Sequence, residues 1–434
     1  MQHHTNNAIK IFHAAVAAVQ PRQLLPHHLS LTSDVLTICG QTISRTHIRH
    51  LKLIAIGKAA SAMAQEAESI LGNAITHGLC ITKHDHALPL RHCQTIEAGH
   101  PTPDDYSLQA GNAVRLLVAD AHPDDVVILL LSGGASALLC DLPSDCTLQD
   151  LQRTTQLLVN SGAGIAQINT VRKHLSHLKG GGLARAAHPA RLFTLVLSDV
   201  VGDELDAIAS GPTVPDSTTF ADAWNVVQQF NLAGQLPPNI RTHLQKGVQG
   251  QLPETPKAGD AAFEQTHTSI IGSNRMALQA AAAEAKRLGY AVQIIQENIT
   301  ANTVAVAQEL VQAAVTYNGP LPACLLAGGE TTLQVSGSGK GGRNQHFVLA
   351  ALQALQTNPS PHHITVLSAG TDGTDGPTDA AGAVVSNTEM INSVELADCL
   401  SRFDAYHYFE RHGGLIKTGP TQTNVMDVMV VLVG

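Results

Sequence analysis

The sequence is poor in aromatic and charged residues and has no long apolar run. Aromatic residues make up 3% of its 434 residues and charged residues 14%. So few aromatics argue against the stacking surfaces that bind single-stranded nucleic acid. The formal net charge is −9 without a dense basic cluster, which argues against a phosphate-backbone interface. No stretch reaches the roughly 18 apolar residues of a membrane span. The sequence therefore predicts neither a nucleic-acid nor a membrane partner.

The cysteines and the first residues bear on the compartment. The seven cysteines are scattered and odd in number, without a CxxC pair, which is typical of reduced thiols rather than of a disulfide framework or a zinc site. Residues 1–21 combine a polar lead with an amphipathic helix that carries Ile9, Phe12, Val16 and Val19 on one face. They lack the apolar core of a signal peptide. We therefore expect a cytoplasmic protein.

Hydrophobic residues, at 44%, are arranged as short apolar runs that alternate with helical patterns. Residues 51–57 and 124–134 are two such runs, which predict buried strands of a parallel α/β sheet. A polar stretch at residues 249–265 carries two prolines and marks a domain boundary. The predicted fold class is α/β with two domains, 1–250 and 266–434, which we expect to face each other across a ligand-binding cleft.

Two strand ends in the first domain carry groups suited to an anion or a metal ion. Lys58 opens a helix directly after a strand, where the helix dipole disfavours a cation unless an anion is close. It is therefore a candidate for binding phosphate or carboxylate, with a solvated lysine as the alternative. Asp199 ends a buried strand, where a carboxylate can hold Mg²⁺ or accept a hydroxyl proton. Capping of the next segment is the alternative for Asp199.

Small and basic residues form two further candidate loops in this domain. Residues 132–136, SGGAS, follow a buried strand, and their backbone N–H groups can hold an anion, with a tight turn as the alternative. They lack the GK[ST] sequence of a P-loop. Residues 172–174, RKH, and the glycine-rich helix end that begins at Lys179 either lie near an anionic ligand or form a solvated basic face.

A glycine-rich loop in the second domain, residues 337–342, has the G-x-G-x-x-G spacing of a dinucleotide fingerprint. It lies between a strand predicted at 331–335 and a helix, but no clear acidic residue ends a second strand about 20 residues later. Lys340 and Arg343 suit a strongly anionic group, such as a triphosphate or a transferring phosphoryl group. A glycine-rich hairpin or lid is the alternative.

Three aspartates separated by glycine and threonine, Asp372, Asp375 and Asp379, resemble a loop that binds a hard cation. A structural turn is the alternative for any one of these aspartates, but it does not readily explain all three. Taken together with the basic loops, these carboxylates supply what phosphoryl transfer needs, namely neutralised charge, a positioned metal ion and a base for the acceptor hydroxyl. The chain has neither a G-x-S-x-G nucleophile elbow nor a catalytic cysteine motif.

Eight motifs match one family in the order in which that family has them, from about Ile54 to Val433. They are GKAASAM, GHPTPDD, LLLSGGASALL, INTVRKHLSHLKGGGLA, LSDVVGDELDAIASGPTVPD, GGETTLQVSGSGKGGRNQ, AGTDGTDGPTDAAGAVV and TGPTQTNVMD. The chain resembles the class II glycerate kinases, also called glycerate 2-kinases, whose C-terminal domain is known as MOFRL. The resemblance implies phosphorylation of D-glycerate at its 2-hydroxyl, dependent on ATP and Mg²⁺, to give 2-phosphoglycerate. It also implies a Rossmann-like N-terminal domain, a smaller α/β C-terminal domain and a site in the cleft between them.

The resemblance also suggests site residues. The family's cleft lysine and cleft arginine fall on Lys58 and Arg343, and its strand-end aspartate falls on Asp199, so we expect these three to be catalytic. The residues expected to bind substrate or phosphate are Ser132, Gly133, Gly134, Ser136, Lys340 and Gly341. The candidates for a metal ion are Asp199, Asp372 and Asp375.

Two departures from the family pattern and two other functions stay open. Ala135 stands where the family has a third glycine, which is tolerable if its φ is negative. Gln422 replaces a glycine of the family's TGPTGTN motif and brings the local turn into question.

Members of the family have also been named hydroxypyruvate reductases. An NAD(P)H-dependent reductase, supported by the weak glycine fingerprint, is therefore the alternative function. A non-catalytic anion-binding protein is a third, and a homodimer is left open.

Overall fold

The structure, a computed structural model, describes residues 2–388 and 392–434. Its α-helices are α1 Gln2–Ala18, α2 Pro21–His28, α3 Ala60–Leu71, α4 Asp105–Val118, α5 Ala135–Leu138, α6 Leu148–Asn160, α7 Ile165–Lys173, α8 Gly182–Ala187, α9 Phe220–Gln229, α10 Pro238–Val248, α11 Asn274–Arg287, α12 Thr303–Val315, α13 Arg343–Thr357, α14 Ser393–Ser401 and α15 Ala405–His412. Its strands are β1 Leu29–Leu31, β2 Val35–Ile38, β3 Gln41–Ser44, β4 Leu51–Ile56, β5 His77–Lys83, β6 Cys93–Ala98, β7 Val126–Leu131, β8 Arg191–Leu197, β9 Thr266–Gly272, β10 Ala291–Ile299, β11 Ala323–Gly329, β12 Ile364–Gly370, β13 Gly382–Ser386, β14 Leu415–Ile416 and β15 Asp427–Val433.

Two compact units make up the chain, a larger unit of Leu24–Ile271 and a smaller unit of Met1–Gln23 with Gly272–Gly434. Both units contain helices and a six-stranded sheet, so the predicted two-part α/β class is confirmed. Helix α1 belongs to the smaller unit because its predicted apolar face, which includes Phe12 and Val19, is buried where it packs against α11 and the strands β12, β13 and β15.

The boundaries of the units differ from the predicted domains of 1–250 and 266–434. Residues 1–23 leave the predicted first domain because α1 packs on the smaller unit. Strand β9 lies in the predicted second domain but forms the edge of the larger unit's sheet, beside β8. The polar stretch that precedes β9 therefore stays within the larger unit, where Pro256 and Phe263 pack at the Gly181 turn.

The larger unit is built on a sheet in the order β6-β5-β4-β7-β8-β9, and each neighbouring pair from β6 to β8 is parallel. Every residue of β4 and β7 is buried, as continuous apolar runs predict for strands covered on both faces. Counted along the chain, the order of the strands reverses between β4 and β7. At such a reversal the connections leave toward opposite faces of the sheet and open a crevice at the carboxyl ends of the two strands.

The smaller unit has a mixed sheet in the order β10-β11-β15-β12-β13-β14. β10 and β11 are parallel, whereas β15 lies antiparallel to both of its neighbours, β11 and β12. The final strand is therefore predicted correctly, but the prediction of parallel pairing fails for it. Residues 331–335, predicted as a strand, form a loop with a single bridge from Thr332 to Asn302. This run buries little apolar surface, since Val335 is exposed.

The larger unit also contains a second, small sheet. The strands β1, β2 and β3 form this antiparallel sheet, which was not predicted from any sequence pattern.

The cysteines and the helices agree with what the composition indicates. The seven cysteines are all free thiols. Among residues 2–388 and 392–434, no helix has both the length and the apolar character that crossing a membrane requires.

Gln422 adopts the backbone conformation that the family's glycine would favour. Its φ is +63°, in the left-handed region. Its buried Oε1 accepts no hydrogen bond from the described part of the chain. A side chain in this conformation costs about 1 kcal/mol, whereas glycine adopts it readily. The turn is therefore formed despite the glutamine, at some cost in stability.

Replacing this glutamine with glycine should stabilise the smaller unit. We expect Gln422→Gly to raise the free energy of unfolding by about 1 kcal/mol, because it removes both the backbone strain and the unsatisfied amide oxygen. Denaturant titration followed by circular dichroism would measure the change. Gln245→Gly, at an exposed position inside α10, is the control and should instead destabilise the protein by about 1 kcal/mol. A Gln422→Gly protein less stable than wild type would contradict the interpretation.

Candidate active site

The turns that follow β4 and β7 interlock at the carboxyl edge of the larger sheet. Gly57 has a φ of +131°, and a Cβ on it would lie 2.1 Å from Ser132 Oγ. The Lys58 N–H donates to the Gly133 carbonyl at 2.8 Å, and the Ala59 N–H donates to Ser132 Oγ at 3.1 Å. The contact excludes a side chain at position 57 and holds the lysine beside the β7 turn. Ser132 is fully buried and serves this contact through its hydroxyl.

Gly134 brings the β7 turn against a lysine and a histidine. Its φ is +86° at the start of α5, and a Cβ on it would lie 3.0 Å from His100 Cδ2 and 3.3 Å from Lys58 Cγ. Ala135, the first residue of α5, is not among the residues with a positive φ. The alanine that replaces the family's third glycine is therefore accommodated, as the sequence analysis requires.

A cavity of about 220 Å³ opens beside this turn, within the larger unit. Its ionisable and serine lining residues are His100, Ser136, Asp141, Arg172, Ser176 and Lys179. The hydroxyl of Ser136, a predicted site residue, lies 3.1 Å from that of Ser210. Arg172 and Lys179 thus border this cavity, so the alternative of a wholly solvated basic face does not hold for these two residues.

Two charged groups of the lining are held by hydrogen bonds within the fold. Asp141 is 4% exposed, and its carboxylate accepts the Ser176 hydroxyl and the His177 N–H. Lys179 is 7% exposed, and its Nζ donates to the Leu139 carbonyl at 2.7 Å. These contacts fix the positions of a carboxylate and an ammonium group at the cavity wall.

Arg172, in the last turn of α7, differs from these two groups. Within the described ranges, no residue forms a hydrogen bond or an ion pair with its guanidinium. Burial lowers its pKa, because the charged form loses contact with water. A cation in such a place is costly unless an anion is bound beside it. Arg172 is half-buried and borders the cavity, so it is a candidate for binding an anionic ligand.

His100 is uncharged at neutral pH. Burial lowers the pKa of its imidazole to about 4, and the nearby charges of Lys58 and Lys83 act in the same direction. A neutral imidazole can both donate and accept a hydrogen bond. The cavity therefore combines cationic groups with a neutral group suited to a hydroxyl.

Asp199 leaves the sheet at the same edge. Ile56 pairs with Leu131, and Leu131 pairs with Val196, so the segments after β4, β7 and β8 emerge side by side. Asp199 follows β8 and is half-buried. The larger unit thus gathers the predicted lysine, the serine and glycine loop and the aspartate at one sheet edge.

In the smaller unit, Arg343 opens α13 and is tied to two carboxylates. Its Nε and one terminal nitrogen donate to Asp427 at 2.6 and 3.0 Å, and the other terminal nitrogen donates to Glu330 at 2.6 Å. Burial opposes the charge of the guanidinium, but Asp427 and Glu330 outweigh that effect and raise its pKa. Arg343 is therefore already paired within the fold.

The glycine-rich loop 337–342 packs closely on the segment that joins α14 to α15 and on the first residues of α15. Cβ atoms on its first two glycines would lie 2.5 Å from the Arg402 carbonyl oxygen, and one on Gly341 would lie 3.4 Å from the Ala405 side chain. The Nζ of Lys340 lies 4.2 Å from the centre of the Tyr406 ring. The glycines serve close packing here, while the ammonium of the loop rests on an aromatic face.

Asp375 caps the start of α13. It is 3% exposed and accepts the N–H groups of Asn344 and Gln345 at 3.0 and 2.8 Å, as well as both of their side-chain amides. Burial raises its pKa to about 6 against these hydrogen bonds. Because both oxygens are used by the helix start, Asp375 has little capacity left for a metal ion.

The other two aspartates of that loop have different surroundings. Asp372 is half-buried, and its Oδ1 accepts the N–H and the hydroxyl of Thr374. Asp379 is exposed and contacts the Tyr406 hydroxyl and the Lys417 ammonium. In the described ranges, no three His, Cys, Asp or Glu side chains are grouped as a metal site. The aspartate spacing in the sequence therefore does not translate into a shared cluster.

Comparisons with known proteins place the chain in a family. The MOFRL family model matches residues 323–427, and a model described as a domain of unknown function, DUF4147, matches residues 7–245. A glycerate 2-kinase of Pyrococcus horikoshii is 35% identical over 98% of this chain and 96% of its own. An Agrobacterium vitis protein, provisionally named a hydroxypyruvate reductase, is 37% identical over 98% of this chain and 93% of its own.

The solved structures agree with these relatives. The crystal structure of a glycerate kinase from Thermotoga maritima is similar over 100% of both chains, with a TM-score of 0.86 and 34% identity. The chain therefore belongs to the glycerate kinase family whose members carry a MOFRL domain. The family predicted from the eight motifs is confirmed.

Sequence reasoning placed some cavity residues and missed others. Gly134 and Ser136 are predicted from their glycine-rich loop. His100 and Asp141 are not predicted as site residues, and Arg172 is left undecided between a ligand contact and a solvated face. His100 lies in the GHPTPDD motif, and this motif was the available signal.

Alanine at position 57 should disrupt the interlocked turns. Gly57→Ala should lower the free energy of unfolding by at least about 2 kcal/mol, because a Cβ collides with Ser132. Gly72→Ala is the control, since Gly72 also has a positive φ, of +50°, but a Cβ on it meets nothing within 4 Å. The control should lose about 1 kcal/mol. If denaturant titrations show equal losses of unfolding free energy for the two variants, the cost of alanine at position 57 comes from backbone conformation alone and not from a collision with Ser132.

The protonation of His100 should affect stability in mildly acidic solution. Because its pKa falls from 6.5 to about 4 on folding, the unfolded chain binds the proton first as the pH decreases. Its contribution to stability is therefore fully present above about pH 6.5 and is lost as the pH falls toward about 4. In urea titrations, the free energy of unfolding of His100→Gln should therefore rise relative to that of wild type as the pH is lowered through that range. His122→Gln, at an exposed histidine, is the control. A wild-type advantage that stays constant with pH would contradict this prediction.

Proposed function

We propose that the protein phosphorylates D-glycerate at its 2-hydroxyl with ATP, giving 2-phosphoglycerate and ADP. The observation that carries the proposal is the edge of the larger sheet, where Lys58 lies at the β4–β7 reversal beside a small cation-lined cavity. The likeness over nearly the whole chain to proteins named glycerate kinases supports both the acceptor and the phosphoryl donor.

The larger unit is Rossmann-like in this proposal. Its strand order, counted along the chain as 3-2-1-4-5-6, is that of doubly wound nucleotide-binding sheets. Such sheets bind their ligands at the point where the order reverses. The turns after β4 and β7, which hold Lys58 and the 132–136 loop, occupy that point. Their placement supports phosphate binding by Gly133, Gly134 and the side chain of Lys58.

The chemistry assigns a distinct role to each group of the larger unit. The acceptor oxygen bonds to the γ-phosphorus of ATP, the bond to the β–γ bridging oxygen breaks, and the hydroxyl proton passes to a base. Lys58 neutralises the charge of the transferred phosphoryl group. Asp199, half-buried at the same edge, orients a metal ion or takes the proton. Ser132 holds the turn in place, since its hydroxyl accepts the Ala59 N–H.

The smaller unit contributes Arg343, Lys340 and Gly341 in this proposal. The carboxylate of Asp427 is fully buried, whereas the Glu330 side chain is 46% exposed. We therefore propose that Arg343 keeps Asp427 as its positioning partner and exchanges its contact with Glu330 for a phosphate oxygen. A guanidinium offers enough N–H donors for both partners.

Mg²⁺ accompanies ATP in the proposal. Proteins usually hold this ion through one or two carboxylates, with the substrate phosphates and water supplying the other ligands. Asp199 fits that pattern, because it is a half-buried carboxylate at a strand end, and Asp372 is the second candidate. Asp375 fits poorly because its oxygens cap α13. Bound Mg²⁺ supplies charge neutralisation for the phosphate oxygens.

The reductase alternative has weaker support. A dinucleotide fingerprint turns directly from a strand into a helix. Here β11 ends at Gly329, and a long loop precedes α13 at Arg343. The glycines of that loop pack against the end of the α14–α15 connection and the start of α15, which leaves the provisional names of two relatives as the main support. The seven free thiols support a cytoplasmic setting for the proposed kinase.

A two-arm assay on the purified protein tests the function. One arm supplies D-glycerate with Mg²⁺ and ATP, follows ADP, and identifies the product as 2- or 3-phosphoglycerate. The other arm supplies hydroxypyruvate with NADH or NADPH and follows the absorbance of the reduced cofactor. ADP release with 2-phosphoglycerate is the expected result. Oxidation of the reduced cofactor without any phosphorylation would overturn the kinase proposal.

Removing the Lys58 ammonium should affect turnover far more than folding. We expect Lys58→Ala to lower kcat by at least about a hundredfold, because a charge opposite the transferred phosphoryl group is lost. The thermal midpoint should change little, since Lys58 is partly exposed. Lys246→Ala, at an exposed lysine of α10, is the matched control and should leave kcat unchanged. A folded Lys58→Ala protein with wild-type turnover would remove Lys58 from the mechanism.

A further inference from the structure

We propose that Arg172 binds the carboxylate of the acceptor in the 220 Å³ cavity of the larger unit, and that it makes a carboxylate obligatory for a substrate. The identity of the acceptor, a small hydroxy acid, rests on the proposed function. The recognition of a carboxylate follows independently from the charge, the internal partners and the size of the cavity.

The charge of the cavity matches one monovalent anion. Arg172 and Lys179 are its cations and Asp141 is its anion, so two positive charges and one negative charge leave a net charge of +1. His100 adds none at neutral pH, because burial and nearby lysines disfavour its protonation. A bound carboxylate neutralises the lining. A phosphate dianion would instead leave an excess negative charge in a poorly solvated place.

Arg172 is the cation of the lining that is available to a ligand. Its neighbour Lys173 is buried while Arg172 is half-buried, and the Nζ of that lysine lies 3.4 Å from both Asp206 and Asp216. Consecutive side chains on a helix point about 100° apart. The lysine is thereby directed toward carboxylates of the fold, whereas the arginine borders the cavity. A planar guanidinium binds both oxygens of a carboxylate through parallel N–H donors.

The size and position of the cavity suit a small hydroxy acid. A volume of about 220 Å³ lies below the roughly 300–1,000 Å³ of sites for drug-sized ligands, so it fits an acid of few heavy atoms and is too small for a nucleotide. The wall that contains Gly134 adjoins Lys58 and His100. The hydroxyl of an acid held at Arg172 therefore has access to the phosphoryl group that Lys58 is proposed to hold.

The test compares Arg172→Gln and Arg172→Lys with wild type. Arg153→Gln, at an exposed arginine of α6, is the matched control because it removes the same charge from the same unit. Calorimetry measures the affinity for D-glycerate without nucleotide. Steady-state kinetics measure kcat/KM for D-glycerate and for glycerol, in which a hydroxymethyl group replaces the carboxylate.

The expected result is a loss of carboxylate recognition. Arg172→Gln should weaken the binding of D-glycerate by at least about a hundredfold, since it removes one partner of a desolvated ion pair. The ratio of kcat/KM for D-glycerate to that for glycerol should collapse, with KM for ATP unchanged. Arg172→Lys should lie between the two, because an ammonium keeps the charge but not the paired donors. The Arg153→Gln control should match wild type.

A thermal-shift measurement separates ligand recognition from folding. The midpoint of ligand-free Arg172→Gln should equal or exceed that of wild type, because a half-buried charge without an internal partner is removed. D-glycerate should raise the midpoint of wild type but not that of the variant. A purely structural arginine would give the opposite pattern, with a lowered midpoint and an unchanged response to the ligand.

The outcomes distinguish this inference from the proposed function. If wild type forms phosphoglycerate and Arg172→Gln binds D-glycerate as tightly as wild type, the role of Arg172 is overturned while the kinase stands. If wild type binds D-glycerate through Arg172 but transfers no phosphoryl group, the carboxylate site is supported and the kinase proposal fails. A variant with a lowered midpoint and the wild-type preference for D-glycerate over glycerol also overturns the role of Arg172.

Discussion

The candidate site depends on one close contact, between the turns that follow β4 and β7. The sheet order reverses between these strands, so their turns lie at the point where a doubly wound sheet opens. Gly57 has no side chain and can lie against Ser132, and two backbone N–H groups then join the turns. The β7 turn continues through Gly134, whose position against Lys58 and His100 leaves room for the cavity. A side chain at either glycine would displace the groups that the proposed chemistry uses.

How far the fold could be predicted depended on whether the information was local. The strands β4, β7 and β8 carry continuous apolar runs, which only a doubly covered sheet satisfies, so their existence and burial follow from sequence. The neighbour with which each strand pairs does not follow from sequence. β15 reads as a final strand, yet it lies between β11 and β12 and antiparallel to both. Any exposed strand edge can pair with such an apolar strand. Packing over the whole unit decides which edge it pairs with. The same holds for α1, whose apolar face identifies a helix but not the unit that buries it.

Among the site residues too, those that depend on local backbone geometry were predictable and those that depend on distant partners were not. Glycines at the end of buried strands indicate close approach of backbone, and Gly134 and Ser136 are found on that basis. The role of a carboxylate depends on the donors around it, which spacing cannot reveal. Asp375 has the sequence context of a cation ligand, but the N–H groups of α13 occupy its oxygens. Arg343 likewise has the context of a phosphate contact, but two carboxylates of its own unit already hold it.

Buried and half-buried cations therefore have to be judged by their internal partners rather than by residue type. Lys52 is 2% exposed, and its Nζ lies 2.7 Å from Asp120 and 3.7 Å from Asp125, so the fold neutralises its charge. No carboxylate in the described ranges does this for Arg172. Keeping a half-buried charge without an internal partner lowers the stability of the ligand-free fold, and proteins commonly retain such losses where binding requires them. The position of Lys52 inside the protein is explained by its ion pairs with carboxylates of the folded chain. The position of Arg172 is explained if an anionic ligand pairs with its guanidinium. This difference is the physical basis for assigning the cavity to a ligand.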